Sequence, residues 1–337
     1  MAATARFPTS PIPTPESALA RTFALDGDPF ADEPDLGVFV PIPAHTAALD
    51  ALRRWIGEMQ QDSRRQDRIA VLTGDEGSGK SRLLAETIQS LDNDRLHLVR
   101  LPDVPSHRTD AQLLKAIIAA LDAEPVGRTG LELRAEVRNA LQALGEKGVQ
   151  TGLLIDDADF KGSQLELIRN LLRDADGTGF WIILAGTPDL HDRMRRRRSL
   201  RGLMGPVLAL DDLSAGDLAM LVERRIRAVR TKATPEDLIP AAAMDILSGW
   251  AEGNPARMLH AARVALSVAA DHSASAVSTA IAEEAIRQLT VAEANAARDE
   301  VVAATGRPVQ TWMPLPEGGT SLRTTTQRSL WDGEDSV

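Results

Sequence analysis

The stretch Gly74-Asp75-Glu76-Gly77-Ser78-Gly79-Lys80-Ser81 decides how the rest of the chain reads. It fits G-x-x-x-x-G-K-[ST], a loop whose backbone N–H groups cradle phosphate oxygens. The flanking sequence supplies the context this motif needs. Ile69-Ala70-Val71-Leu72-Thr73 before it is a short apolar run and is expected to be a buried strand. Ser81-Arg82-Leu83-Leu84-Ala85-Glu86-Thr87-Ile88 after it carries apolar residues at helical spacing. Glycines let the loop turn its amides inward. The positive end of the following helix faces the same anion. In such a loop Lys80 reaches the β- and γ-phosphates and the Ser81 hydroxyl ligates Mg²⁺. The expected nucleotide contacts are therefore Gly74, Asp75, Glu76, Gly77, Ser78, Gly79, Lys80, Ser81 and Arg82. The alternative is a glycine-rich turn that binds nothing.

A second motif lies downstream, Leu153-Leu154-Ile155-Asp156-Asp157. An apolar strand that delivers a carboxylate to the C-terminal edge of a sheet reads as a Walker B strand, since ligands of open α/β sheets bind at that edge. Asp156 is expected to hold Mg²⁺ through its water shell. Asp157 stands where a general base polarises an attacking water. A pair of surface aspartates capping the next helix is the alternative. At the end of a later apolar run, Leu184-Ala185-Gly186-Thr187-Pro188-Asp189 places the Thr187 hydroxyl beside that carboxylate. There it would orient water or sense the γ-phosphate; a plain Thr-Pro turn is the other reading.

Two cationic features follow. Arg193-Met194-Arg195-Arg196-Arg197-Arg198-Ser199-Leu200-Arg201 concentrates guanidinium groups suited to phosphate contact. One of them, Arg201 first and Arg198 second, is the expected arginine finger reaching a neighbouring subunit's γ-phosphate. The segment is also suited to gripping a nucleic-acid backbone, or to serving as a solvated face. Gly253-Asn254-Pro255-Ala256-Arg257 opens a late helix, capped by Asn254 or its turn, with Arg257 projecting from the first turn towards the γ-phosphate.

Composition bounds the rest. The chain has 337 residues, 43% of them hydrophobic, which allows about two domains with a sizeable core. Lys+Arg 38 against Asp+Glu 48 gives a net charge of −10, so any DNA contact needs a local basic patch. There are no cysteines, which excludes disulfides and thiolate metal sites. His45, His97, His107, His191, His260 and His272 show no metal spacing. No apolar run approaches the roughly 18 residues of a membrane span, and the N-terminus lacks a signal peptide's apolar segment. The expectation is a cytoplasmic protein. With aromatics at 3% and no tyrosine, the core must be mostly Leu, Ile, Val and Ala, and Trp55, Trp181 and Trp250 are expected to belong to it.

Periodicity orders the elements. A Pro-rich leader over 1–24 precedes a helix from about His45 to Gln60. Strands are expected at Ile69–Thr73, Leu96–Leu101, Gly152–Ile155, Phe180–Ala185 and Val207–Leu210. Helices between them are expected at about Asp110–Leu121, Leu131–Leu144 and Gln164–Asp174. Five near-continuous apolar strands alternating with helices argue a parallel sheet covered on both faces. Past Ser214 only helices are expected, at about Ala215–Val229, Pro240–Trp250, Ala256–Ala270 and Ala280–Ala304. The division is therefore a nucleotide-binding domain over 25–212, a helical lid over 213–304 and a loose tail over 305–337. Trp312-Met313-Pro314-Leu315 and Leu330-Trp331 are apolar islands in that tail.

The order of motifs resembles that of AAA+ ATPases, and among them the ExeA-like group of general-secretion and TniB- and MuB-type transposition ATPases. The resemblance rests on Asp28-Pro29-Phe30, Pro34-Asp35, Phe39, Ala44-His45-Thr46-Ala47-Ala48-Leu49 and the two nucleotide motifs. It continues through Leu167-Ile168-Arg169-Asn170-Leu171-Leu172, Ala185-Gly186-Thr187-Pro188-Asp189-Leu190 and Gly253-Asn254-Pro255. It implies an αβα sandwich with an all-α lid, ATP and Mg²⁺ as cofactors, and homo-oligomers in which one subunit supplies an arginine to the next. Thr187 maps to sensor 1 and Arg257 lies near sensor 2, although the usual Gly-x-Pro-Arg is lengthened by one residue here. Asp157 stands where the group has glutamate, which draws the base back by about one methylene and makes slow hydrolysis expected. Three roles follow from the resemblance: an ATPase that switches or remodels a partner assembly, a transposition regulator on duplex DNA bound through Arg193–Arg201, and a slow-turnover scaffold.

Overall fold

The computed structural model describes residues 22–23, 25, 29–30, 39–62, 64–91, 95–101, 109–160, 162–229 and 238–305, with side chains through 296. Asp28, Pro34 and Asp35, most of the leader and the tail islands at Trp312 and Leu330 lie outside the described residues. The chain divides into two units, Met1–Leu289 and Thr290–Val337. The sheet, the helices around it and the lid as far as Leu289 belong to the first unit.

Helix α1 (Pro43–Gln61) leads into β1 (Ile69–Gly74), and the chain then alternates. It runs α2 (Lys80–Leu91), β2 (Leu96–Leu101), α3 (Asp110–Ala120), α4 (Gly130–Glu146) and β3 (Gln150–Ile155). After α5 (Gly162–Asp174) and β4 (Trp181–Gly186) come two short helices, α6 (Pro188–Arg195) and α7 (Arg198–Arg201). Strand β5 (Met204–Leu210) completes a five-stranded parallel sheet in the order β2-β3-β4-β1-β5. The lid helices are α8 (Ala215–Ala228), α9 (Ala241–Ala251), α10 (Pro255–Asp271) and α11 (Thr279–Thr305).

Both sheet faces are covered, and the strand period of two sorts the side chains between them. Ile69 and Val71 of β1 face a core built with α3 to α7, in which Leu114, Ile117, Ile168 and Leu200 are buried. Ala70 and Leu72 of the same strand face the opposite core, built with α1 and α2. There Trp181 packs edge-on against Trp55 with centroids 5.4 Å apart, both buried as expected from composition. Gly152 is required beside them, because a Cβ at that position would collide with the Trp181 ring.

Expected and observed strands differ most at β5, which begins at Met204 rather than Val207. Gly205 and Pro206 stand directly before Val207 and belong to the strand. The strand lies at the sheet edge and its register against β1 shifts between Ile69 and Val71, so a proline without an N–H is tolerated.

A third core holds the lid together, with Leu218, Val222, Leu247, Met258 and Leu266 among its buried residues. Phe23, Leu25, Phe30, Val40 and Ile42 pack into this same core. The chain that enters α1 is thus attached to the lid before it reaches the sheet.

Candidate functional site

The register of the sheet brings the motifs to one edge. Ile155 of β3 is opposite Leu184 of β4, and Thr73 of β1 is opposite Gly186 of β4. Asp156, Thr187 and the loop after Gly74 therefore leave three adjacent strands at their C-terminal ends, where open α/β sheets bind ligands.

The loop holds its carbonyls with named donors at every step. Lys80 Nζ donates to Gly74 O at 2.8 Å and to Asp75 O at 2.7 Å. The Ser78 N–H also donates to Asp75 O, at 3.1 Å. Asn254 Nδ2 of the lid donates to Glu76 O at 2.7 Å, and the Ala256 N–H donates to Gly77 O at 3.3 Å. His45 Nε2 bonds Ser78 O at 2.8 Å, and the Leu83 N–H of α2 donates to Gly79 O at 3.0 Å.

Two of the glycines are dictated by these neighbours. Gly77 has φ +80° and a Cβ there would lie 2.8 Å from both the Ala256 Cβ and Asn254 Oδ1. Gly79 has φ +97° and a Cβ there would lie 2.9 Å from His45 Nε2. Only glycine takes that backbone freely and leaves room for the approach.

Lys80 is buried, and burial pushes its ammonium below the ordinary lysine range; Asp157, Asp156, Asp75 and Glu76 pull it back up. Asp156 is buried at the end of β3. Its Oδ2 accepts from Arg100 Nη2 of β2 at 2.8 Å and its Oδ1 accepts the Asp157 N–H at 3.1 Å. Asp157 is exposed and takes φ +45°, a left-handed conformation that Asp and Asn adopt more readily than other side-chain-bearing residues. Thr187 is exposed and is the N-cap of α6, without a side-chain cap bond.

A cavity of about 660 Å³ opens beside the loop, a size that takes a small organic ligand. Glu76, Gly77, Gly79, Lys80, Ser81 and Arg82 form its loop side, with Asp157 at its edge. Phe39, Val40, Ile42 and His45 form a second wall, and Leu221, Pro255, Ala256 and Leu259 a third. Arg225 and Arg263 bring two lid cations to it.

Arg257 is not among the lining residues. Its Nη1 donates to Glu252 Oε2 at 2.8 Å and its guanidinium lies over Trp250, 4.3 Å from the ring centroid. The lengthened Gly-Asn-Pro-Ala-Arg turn explains this placement: Ala256 faces the loop, and Arg257 comes one residue later on the helix. Trp250, expected in the core, is half-buried and serves as the platform for that arginine.

Arg198 and Arg201 occupy the short helix α7 at the surface, away from the cavity lining. Arg201 Nε donates to Arg195 O at 3.0 Å. Arg193 pairs with Asp159, and together with Arg196 and Arg197 it borders a second cavity floored by Phe160 and Leu165.

Several of these participants escaped the sequence reading. His45 was visible as a histidine without metal spacing, and only its contact with Ser78 gives it a place. Arg100, Arg225 and Arg263 resemble ordinary charges on a strand and two helices, and nothing in their local sequence marks them. Asn254 was legible as an N-cap, and its Oδ1 does accept the Arg257 N–H at 3.1 Å. Its second bond, to Glu76 O, was not legible.

Among the described residues no group of three or more His, Asp or Glu side chains is placed to hold a metal ion. Ser81 and Asp156 offer hard oxygen donors in small number, which fits Mg²⁺ rather than a cation needing an all-protein cage.

A loop on β1 under a helical lid, in a sheet ordered β2-β3-β4-β1-β5, is the AAA+ P-loop fold. The AAA-domain family model matches residues 63–194, less than half of the chain. Among solved structures the chain is similar to Cdc6p from Pyrobaculum aerophilum, with TM-score 0.61 and 17% identity over 74% of this chain and 67% of that one. It is also similar to ORC2 from Aeropyrum pernix in ADPNP–ADP complexes, with TM-score 0.61, 13% identity and coverage of 77% and 70%. ORC1 from Aeropyrum pernix, solved with DNA, gives TM-score 0.59, 18% identity and coverage of 76% and 68%. At these identities the likeness is one of fold. No curated protein matches the chain. Among the described residues no helix is long and apolar enough to cross a membrane.

Proposed function

We propose that the protein is an AAA+ ATPase that binds Mg·ATP, assembles into homo-oligomers and uses the nucleotide cycle to switch or remodel a partner assembly. One observation carries the binding step: a 660 Å³ cavity bounded by a loop whose carbonyls all accept hydrogen bonds from the protein, with Lys80 at its base. The amides left over from that arrangement are the donors an anion needs. In this reading the domain division stays at 25–212 and 213–304, and the finer likeness to the ExeA-like group belongs here, resting on its motifs. The same reading puts the protein in the cytoplasm, where ATP and Mg²⁺ are supplied.

The roles divide by position. The loop amides and Lys80 bind the phosphates, with Arg225 and Arg263 approaching the ligand from the lid. Ser81 and Asp156 would hold Mg²⁺, which would supply charge neutralisation on the phosphate oxygens. Asp157, at the cavity edge, takes a proton from the attacking water, and Thr187 orients it. Arg201 or Arg198 completes the site of the next subunit. Arg257 keeps an ATP-binding role only through the turn that it stabilises, since its guanidinium is committed to Glu252 and Trp250.

A second reading, an ATP-dependent DNA-binding regulator, is favoured by one observation. Arg195, Arg196, Arg198 and Arg201 are all exposed on one short segment of a chain with net charge −10. Aeropyrum pernix ORC1, which shares the fold, was solved with DNA. A slow-turnover scaffold is the third reading, consistent with the short Asp157 side chain. Calorimetry with ATP and ADP, with and without Mg²⁺, tests the shared premise, with Lys80→Ala as the control expected to bind neither. Equal binding by Lys80→Ala, or none by the native chain, removes the P-loop reading. Steady-state turnover then separates motor from scaffold, and salt-dependent DNA retention separates the second reading from the first.

A further inference from the structure

We propose that Asn254 and His45 are positioning residues of the phosphate cradle, and that Asn254 makes the loop's shape depend on the position of the lid. The inference rests on the nucleotide-binding reading of the loop and extends it to two side chains that lie far from the motif.

The physical basis is the planarity of the peptide unit. In a trans peptide the carbonyl and the N–H point in opposite directions, so a donor that fixes one also aims the other. Asn254 Nδ2 holds Glu76 O at 2.7 Å, which turns the Gly77 N–H away from the lid residue. His45 Nε2 holds Ser78 O at 2.8 Å, which turns the Gly79 N–H away from α1. Since a carbonyl only accepts, Nε2 of His45 carries the proton in this bond. Between them, Gly77 O accepts from the Ala256 N–H, and the Ser78 N–H is already spent on Asp75 O. Among the described residues the Gly77 and Gly79 amides have no protein acceptor. Two peptides are therefore set in phosphate-binding orientation from outside the loop, one by α1 and one by the lid.

Asn254 does this while capping α10, since its Oδ1 accepts the Arg257 N–H at 3.1 Å. Its two polar atoms thus tie the first turn of the lid helix to the loop. The lid does not reach the loop with an arginine at this turn; Ala256 occupies the contact, close to Gly77. A rigid backbone clasp replaces a long cation. Movement of the lid away from the sheet breaks the bond to Glu76 and frees that peptide to rotate, so nucleotide affinity and lid closure become one equilibrium.

The test separates the cap from the clasp. Asn254→Asp keeps an equally good N-cap but puts a carboxylate oxygen where the Nδ2 donor stood. Asn254→Ser keeps the cap, lacks the reach to Glu76 and adds no charge. Both variants are expected to melt close to the native temperature and to bind fluorescent ADP more weakly, by about tenfold for the serine, the worth of one good hydrogen bond, and by more for the aspartate. His45→Leu is expected to weaken ADP binding similarly, with part of the loss recovered by His45→Gln, which retains an N–H donor. Hydrogen exchange in the first turn of α10 should slow on adding ADP in the native protein and change much less in Asn254→Ser. Native affinity in both Asn254 variants overturns the proposal, as does an affinity loss matched by an equal fall in melting temperature. A native chain that binds no ADP at all removes the underlying nucleotide reading instead.

Discussion

Arg100 Nη2 donates to Asp156 Oδ2 at 2.8 Å, so the edge strand β2 supplies the counter-ion of the buried carboxylate that ends β3. The pair spans two neighbouring strands whose register places Arg100 opposite Leu154. Asp156 is almost wholly buried while Arg100 is 32% exposed, so the carboxylate depends on the pair more than the guanidinium does. Arg100→Ala should destabilise the fold by about 1–3 kcal/mol, the cost of leaving a buried acceptor short of a partner. Adding Asp156→Asn should recover part of that loss, because the two residues share one interaction. Urea unfolding of the single and double variants measures both, and strictly additive losses would show the pair to be energetically idle.

Asp157, the proposed base, has an unusual backbone. Its φ of +45° suits Asp, Asn or Gly better than Glu. Asp157→Asn should therefore keep stability and ADP affinity while slowing hydrolysis. Asp157→Glu should restore the reach of the longer base and raise turnover, at a stability cost of about 1 kcal/mol for the strained backbone. Turnover and melting temperature measured together check this, and a lower rate in Asp157→Glu would show that reach is not limiting.

The arginine segment decides between partners. Arg201 sits on α7, exposed and outside the cavity of its own chain, as a residue acting on a neighbouring subunit must be. Arg201→Ala should retain ATP affinity and lose turnover. Mixing it with Asp156→Asn should restore some activity, since each variant then contributes a different half of a shared site. Exchange without recovery argues against action in trans. If the segment grips DNA, changing Arg195, Arg196 and Arg197 together should weaken retention and flatten its salt dependence.

A stability device at the entry to β1 titrates in acid. Arg65 forks onto Asp67 with bonds of 2.8 and 2.6 Å and also reaches Glu58 at 2.6 Å. The Arg65 hydrogen bond holds the Asp67 carboxyl below its usual value of 3.8. A carboxyl depressed in the folded state stabilises the protein above its unfolded value, and that contribution disappears as pH falls through the lower, folded value. Asp67→Asn should lower stability at neutral pH by under about 1 kcal/mol, because the pair is partly solvated. The difference from the native protein should close below pH 3.8, as chemical unfolding at stepped pH will show.

Sequence alone determined the parts of this molecule that are local. Strand β1 is apolar from Ile69 to Leu72 because both of its faces are buried, and the loop announces itself because a phosphate cradle needs glycine at fixed positions before a lysine. The carboxylate of Asp156 was legible for the same reason, as a charge at the end of an apolar strand. The tertiary structure decided what depends on contacts between distant segments. Arg257 and Ala256 differ by one residue on a helix, and only the docking of that helix against Gly77 shows which of them faces the loop. His45 and Asn254 hold adjacent stretches of the loop from 33 and 178 residues away in the chain. A hydrogen bond across such a separation leaves no periodic trace, since periodicity records only which face of an element is buried and not which atom lies opposite.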